Sequence, residues 1–160
     1  MSKAKKKTVK ESFVTMTQLV LPNHTNQLGN LLGGQLMHWI DICAALSAAR
    51  HSNNVCVTAS VDQIEFHRPV RLGQVVTLLS SVNRAFNSSM EVGVKVFSES
   101  HQEGTRVHTN TAYLTFVSVD ENGKPVQTNK IVPESKDEKR RYKEALKRRE
   151  TRLSDPKKSS

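Results

Sequence analysis

The feature that most constrains the fold of this chain is an apolar run over residues 35–50, which contains neither glycine nor proline. Leu, Met, Trp, Ile, Cys and Ala side chains occupy most of its positions, so hardly any polar face remains when the run is drawn as a helix. A helix that is apolar on all sides has to be buried. The sequence therefore predicts one long central helix, which the rest of the chain must cover.

The segments around this helix have the two-residue periodicity of β-strands. One strand is predicted before the helix and four after it, the first of the four with a bulge near 62–63, where the alternation changes phase. The predicted strands are 13–21, 55–66, 74–82, 90–96 and 107–119. Strands joined by short polar turns form antiparallel meanders, so the sheet must curl round the single helix. The predicted fold class is α+β, with an additional C-terminal surface helix over 136–152.

The charge of the chain lies at its two ends. The net charge is +9, yet residues 11–133 carry eight basic against nine acidic side chains. Residues 1–10 hold five lysines and no acid, and residues 134–160 hold eleven basic against six acidic side chains. Such terminal blocks are typical of solvated tails. We therefore divide the chain into a flexible basic segment 1–11, a domain 12–133, and a charged helix and tail 134–160, with a nucleic-acid or anionic-surface role for the ends as the alternative.

Several classes of protein are disfavoured. No apolar stretch approaches the roughly 18 residues of a membrane span, and the N-terminus lacks the apolar run of a signal peptide, so we expect a cytoplasmic protein without membrane insertion. Cys43 and Cys56 lie in apolar runs and fit buried thiols. The histidines neither pair at ligand spacing nor join a cysteine in a compact cluster, so we expect no metal site and no cofactor.

Asp41 is the residue of the central helix that packing does not explain. It lies one turn after Met37 and one turn before Ala45. Burying a carboxylate without partners costs several kcal/mol, and Asp is a poor helix former. Asp41 therefore either lies on a narrow polar stripe with His38, Ser47 or solvent, or has a chemical role.

A glycine pair, Gly33 and Gly34, opens the same helix after the polar loop 25–32. Glycines at a helix N-terminus let a ligand approach free N–H groups, where the helix dipole favours negative charge. Such donors suit a carbonyl oxygen that gains negative charge during acyl transfer. The pair lies about 10 Å from Asp41 along the helix axis. A plain turn is the other interpretation of the glycines.

Four segments, in this order, resemble the hotdog-fold acyl-CoA thioesterases, and specifically their cytosolic acyl-CoA hydrolase branch. They are Asn-Gln-Leu-Gly-Asn-Leu-Leu-Gly-Gly at 26–34, Met-His-Trp-Ile-Asp at 37–41, Phe-His-Arg-Pro at 66–69 and Ala-Tyr-Leu-Thr-Phe at 112–116. The resemblance covers about residues 12–133. It implies a hydrolase that converts acyl-CoA thioesters to free fatty acid and coenzyme A, assembled as a homodimer and further as a trimer of dimers, or hexamer.

The resemblance also implies the site residues, at the dimer interface. Asp41 matches the catalytic carboxylate, acting as a general base or as a nucleophile through an anhydride, and faces the Asn26 loop of the other subunit. Asn26 matches the loop asparagine that holds water, and the N–H of Gly34 polarises the thioester carbonyl beside Gly33. Coenzyme A carries phosphates, which cationic and hydrogen-bonding groups would contact. The candidates are Arg68, Arg84, Asn87, Ser88 and Ser89.

Two other functions remain open from the sequence. A non-catalytic hotdog protein that senses acyl-CoA has the same fold, although the presence of Asp41 and Asn26 disfavours it. A nucleic-acid-associated protein would use the basic ends, but the chain has only 5% aromatic residues for stacking and a neutral domain. We expect acyl-CoA as the substrate and no specific nucleic-acid partner.

Overall fold

A computed structural model of the chain describes residues 3–62 and 64–155. Within these residues it has seven strands, two α-helices and two 3-10 helices. The strands are β1 (Lys6–Thr8), β2 (Val14–Leu19), β3 (Val55–Val61), β4 (Val75–Ala85), β5 (Ser89–Ser100), β6 (Thr105–Val119) and β7 (Lys130–Val132). The α-helices are α1 (Gly33–Ser52) and α2 (Lys136–Leu153), and the 3-10 helices are Val9–Ser12 and Pro22–His24.

The predicted architecture of a curled sheet around a long helix is confirmed. Five antiparallel strands are hydrogen-bonded in the order β2-β4-β5-β6-β3, and α1 packs against one face of the sheet. The core joins fully buried residues of α1 to the inward-facing residues of the central strands, among them Ile40, Met90 and Phe116. The apolar run thus forms the buried helix that its composition requires.

Only part of the predicted meander is present, because β3 does not pair with β4. Strands β4, β5 and β6 follow one another as hairpins, whereas β3 pairs with β6 and forms an edge of the sheet. The predicted bulge position is also wrong. The register shifts between Thr58 and Ser60, and β3 ends at Val61. The phase change that predicted a bulge instead marks the end of the strand, since Ile64 and Phe66 lie in the loop that follows.

Part of the predicted flexible segment 1–11 forms regular structure within the described residues. β1 pairs in parallel with β7, and Lys5 N donates to Asn129 Oδ1 at 3.0 Å. Val9 and Ser12 are buried, and Val82 N donates to Ser12 Oγ at 2.9 Å. Backbone pairing and the buried Val9 order this segment despite its charge. Residues 1–2 of the predicted segment lie outside the described residues.

α2 confirms the predicted C-terminal helix. It begins with a capping box in which Ser135 Oγ accepts from Glu138 N and Glu138 Oε2 accepts from Ser135 N. Ala145 of α2 is fully buried. The predicted tail beyond residue 155 lies outside the described residues. No helix in the described part of the chain has the length and apolar character that crossing a membrane requires.

An ion pair between Glu91 and Arg148 holds α2 on the outer face of the sheet. Arg148 donates through Nη2 to Glu91 Oε1 at 2.7 Å and through Nε to Oε2 at 2.9 Å. Asn83 Nδ2 also donates to Glu91, and the guanidinium lies 3.6 Å from the Tyr113 ring centroid. Glu91 is only 1% exposed, so this carboxylate depends on its partners. A Cβ at Gly93 would lie 2.8 Å from Asn83 Nδ2, which explains the glycine there.

Candidate active site

The carboxylate of Asp41 is held by a residue that the sequence did not indicate. Thr58 Oγ1 donates a hydrogen bond to Asp41 Oδ1 at 2.7 Å. Asp41 is half-buried in the middle of α1, and Thr58 lies on β3 at the register shift. Among the described residues no donor reaches Asp41 Oδ2. One oxygen of the carboxylate is therefore fixed, and the other is free to accept a proton.

Thr58 could not be found from the sequence because its role depends on how β3 lies against α1. The alternation of β3 places Thr58 among its polar residues, and no local spacing links it to Asp41, which is 17 residues away. The only available signal was a strand directly after the helix, carrying a hydroxyl on its polar side. His38 and Ser47, the two side chains proposed to share a polar stripe with Asp41, form no hydrogen bond with it. Ser47 Oγ instead lies 2.5 Å from Ser80 Oγ.

The two elements that carry Asp41 and Thr58 both expose apolar side chains. Along β3, Val55, Val57 and Val61 are 69%, 47% and 40% exposed, and on α1 Leu46 is 47% exposed. The outer backbone edge of β3 has no neighbouring strand within the described residues. Unpaired strand edges surrounded by apolar side chains favour association with another chain. In the single protomer the carboxylate is thus close to a surface that is suited to a partner.

The N-terminus of α1 offers uncapped N–H donors. No side chain caps the helix at Leu32, and its first backbone hydrogen bond runs from Leu36 N to Leu32 O. The N–H groups of Gly33 and Gly34 have no acceptor in the described residues. A Cβ at Gly34 would meet nothing within 4 Å, and one at Gly33 would lie 3.7 Å from the Phe66 ring. The two glycines leave this helix end accessible, which the predicted binding of a negatively charged oxygen there requires.

Asn26 organises the loop that leads to this helix end. Its Oδ1 accepts from Leu28 N at 2.9 Å and from Asn30 N at 3.1 Å, and Gly29 occupies the left-handed region with φ 76°. Its Nδ2 group has no acceptor among the described residues, and Asn26 is exposed. Because the two hydrogen bonds occupy the amide oxygen, the side chain presents its N–H donors outward.

A groove of about 390 Å³ lies next to the N-terminus of α1. Its lining includes Gly33, Leu36, Phe66 and Arg68. Arg68 is exposed and belongs to none of the ion pairs that join described residues. The groove therefore combines an apolar wall, free N–H donors and one cation.

The other predicted substrate-binding residues lie elsewhere. Arg84 stacks 4.0 Å from the Tyr142 ring centroid and donates to Tyr142 O, so its guanidinium is engaged by α2. Its register partner is Glu91, on the face of the sheet opposite α1. The turn with Asn87, Ser88 and Ser89 joins β4 to β5. Ser89 of β5 pairs with Val117 of β6, and Val117 also pairs with a residue of β3. Two strand spacings, or about 10 Å, therefore separate Ser89 from β3.

The protomer does not bring the predicted catalytic groups to one point. Asp41 bonds Thr58, Asn26 bonds its own loop, and Gly34 lies about 10 Å from Asp41 along α1. Within residues 3–62 and 64–155, no three His, Cys, Asp or Glu side chains form a metal-binding group.

His51 of α1 is fully buried, with Asn129 O 2.7 Å from its Nε2 atom. Burial lowers the pKa of His51, and the charge of Lys7 lowers it further, whereas the hydrogen bond with Asn129 O acts in the opposite direction.

Comparison with known proteins identifies the family. The model of the thioesterase superfamily matches residues 28–105. The uncharacterized acyl-CoA thioester hydrolase YkhA of Bacillus subtilis is 46% identical over 129 residues, which are 81% of this chain and 75% of the relative. The chain belongs to the thioesterase superfamily. Mouse acyl-coenzyme A thioesterase 11 is 47% identical to this thioesterase-superfamily chain over 140 residues, 88% of the chain but only 23% of the mouse protein.

Solved structures of similar proteins confirm the fold of this superfamily member. An apo-hexameric acyl-CoA thioesterase is 39% identical, with a TM-score of 0.90 over 93% of this chain and 96% of that chain. The acyl-CoA hydrolase of Staphylococcus aureus, solved with butyryl coenzyme A and coenzyme A, is 34% identical, with a TM-score of 0.87 over 93% and 91%. The staphylococcal enzyme was also solved with one Asp, one Asn or one Thr changed to Ala.

Proposed function

We propose that this chain hydrolyses acyl-CoA thioesters to a carboxylic acid and coenzyme A. The observation that carries the proposal is the carboxylate of Asp41, held through Oδ1 by Thr58 and left free at Oδ2, beside a surface suited to a partner chain. Asp41 Oδ2 is not among the buried side-chain atoms that lack a partner, so a water molecule can reach it. A general base needs one oriented oxygen that can take a proton from water.

The proposed reaction uses few groups because a thioester carbonyl is electrophilic and a thiolate is a good leaving group. Asp41 Oδ2 takes a proton from a water molecule while the oxygen of that water bonds to the carbonyl carbon. The carbonyl π electrons move to oxygen, which the N–H of Gly34 stabilises as an oxyanion. The intermediate then collapses, the carbon–sulfur bond breaks, and the leaving thiolate takes up the proton that Asp41 accepted from water, which regenerates the carboxylate of Asp41. Asn26 Nδ2 donates to the attacking water and positions it.

We propose that each site combines two protomers. Gly34 N–H and Asp41 lie about 10 Å apart along one helix, too far to act on a single carbonyl and the water that attacks it. Pairing through the exposed edge of β3 would bring a second loop with Asn26 and Gly34 to each Asp41. The exposed valines of β3 support this arrangement, because burying them favours the dimer.

The variants of the staphylococcal hydrolase support this set of residues. The Asn, Asp and Thr changed in them follow one another at the same spacings as Asn26, Asp41 and Thr58. These are the three residue types that the geometry selects in this chain. The hexameric relative supports association of the proposed dimers into a trimer of dimers. Contacts of coenzyme A with Arg68, Arg84 and the 87–89 turn, and a cytoplasmic location, stay predictions.

Release of free thiol from acyl-CoA tests the proposal. The Asp41→Asn variant keeps the size of the side chain and its hydrogen bond to Thr58 but removes the base, so kcat should fall by about 10² to 10⁴-fold. The matched control is Asp137→Asn, which changes an exposed carboxylate on α2 and should keep wild-type kcat. Wild-type protein that binds acyl-CoA without releasing thiol would instead establish the non-catalytic acyl-CoA sensor.

A further inference from the structure

The fold brings the two basic ends of the chain together. β1 pairs with β7 so that Lys6 lies opposite Lys130, and β7 is followed directly by the segment that starts α2. Lys10 lines the same outer groove as Arg140 and Arg141 of α2. The basic segments that the sequence places at opposite ends are therefore adjacent in the fold, next to a domain that is neutral overall.

The exposed face of α2 carries a lysine stripe, which we define as Lys136, Lys139, Lys143 and Lys147. Spacings of three and four residues place these side chains on one side of the helix, over a length of about 16 Å. All four are exposed. The ion pairs that join described residues include none of them.

The arginines of α2, by contrast, are engaged within the protein. Their partners are carboxylates or a ring: Arg140 contacts Asp137 and Glu144, Arg141 contacts Asp137, Arg148 contacts Glu91, Arg149 contacts Phe86 and Arg152 contacts Asp62. Tyr142 is covered by Arg84. Bidentate recognition of nucleic acid uses arginine forks and the stacking of bases uses exposed aromatic rings, whereas the stripe offers only ammonium groups.

We propose that the lysine stripe docks the protein on an anionic phospholipid surface. Four ammonium groups on one helix face can approach the headgroups together within one Debye length, about 8 to 10 Å at physiological salt. Clusters of four or more cations on a helix face are the usual signal for anionic lipid. Lys10 adds a further cation beside α2, since it lines a groove together with Arg140 and Arg141. The proposal is independent of the proposed hydrolysis, because it requires no contact with the active site.

Sedimentation with vesicles tests the docking. The 160-residue chain is mixed with vesicles of phosphatidylcholine alone or with added phosphatidylserine, at about 0.1 M and about 0.5 M NaCl, where screening differs strongly. We expect binding only to the phosphatidylserine vesicles and only at the lower salt. The Lys143→Gln/Lys147→Gln variant should bind about 25-fold more weakly, at roughly fivefold for each lysine.

The matched control is Lys124→Gln/Arg106→Gln, which lowers the net charge equally but lies outside α2. It should bind the vesicles as the wild type does, to within about twofold, because its two changed side chains lie outside the stripe. An equal loss of binding would mean that binding depends only on the total charge. Circular dichroism and gel filtration establish that both variants keep the fold and the assembly. Absence of binding to phosphatidylserine vesicles at low salt, or equal loss in both variants, overturns the proposal. Tighter, stripe-dependent binding to single-stranded RNA than to vesicles overturns it in favour of a nucleic-acid partner.

Discussion

Removing Arg148 while leaving Glu91 in place should destabilise the protein strongly. The Arg148→Met variant keeps much of the apolar length of the side chain but deletes the hydrogen bonds of 2.7 and 2.9 Å to a carboxylate that is 1% exposed. Burial alone would lower the pKa of Arg148, but the hydrogen bonds and charge of Glu91 raise it, so the guanidinium is stabilised in its charged form. Breaking such a buried pair costs about 3 to 5 kcal/mol.

The cost of this variant is measured by urea unfolding at a fixed protein concentration, because assembly contributes to stability. For a domain of this size the same loss lowers Tm by about 6 to 20 °C. The control is Arg141→Met, whose ion pair with the exposed Asp137 is worth about 0 to 1 kcal/mol. In the Arg148→Met/Glu91→Gln double variant no unpaired charge remains, so it should be more stable than Arg148→Met alone. Equal stability of Arg148→Met and Arg141→Met would refute the reasoning.

Two further predictions concern the hydroxyl of Thr58 and the buried His51. Thr58→Val removes the donor to Asp41 without changing the side-chain shape, so kcat should fall about 10 to 100-fold, as expected for a lost hydrogen bond to a charged group. Thr58→Ser keeps the hydroxyl and should retain most of the activity in the thiol-release assay. Equal activity of the two variants would contradict the positioning role. Burial lowers the pKa of His51 in the folded state, so the unfolded state binds more protons once the pH falls below about 6.5. The free energy of unfolding should therefore decrease with falling pH, by at most about 1.4 kcal/mol per unit from this group, until the pH is below the folded pKa of His51. His51→Gln keeps a donor for Asn129 O and should flatten this dependence in urea titrations, whereas an unchanged slope would speak against His51.

Local patterns predicted the elements of this fold better than their partners. The apolar run around Ile40 could only form a buried helix, and strict alternation identified the inward face of the strands. The pairing of β3 with β6, and of β1 with β7, joins segments far apart in the sequence, and no local signal encodes it. The lysine-rich segment 1–11 therefore has the composition of a flexible tail, although Val9 within it is buried.

The site shows the same division between local and long-range information. Asp41 was identified because burying a carboxylate in an apolar helix costs free energy unless it has a partner or a chemical role. Gly34 was identified because it lies at the start of that helix. Thr58 was missed because its contact with Asp41 depends on how β3 lies against α1, which no local spacing encodes. The contact of Arg84 with coenzyme A rests on the family resemblance and stays a prediction; in the single protomer its guanidinium contacts Tyr142 of α2.

Mixing two inactive variants tests most directly whether Asp41 and Asn26 from different protomers form one active site. Asp41→Ala and Asn26→Ala proteins are each purified, mixed in equal amounts, dissociated and reassembled, and thiol release from acyl-CoA is then measured. In a mixed dimer one of the two sites regains both residues and the other lacks both. With half of the dimers mixed at random, about a quarter of the wild-type activity should return, as expected for an isologous two-fold interface. Activity that stays at the level of the separate variants would contradict the account.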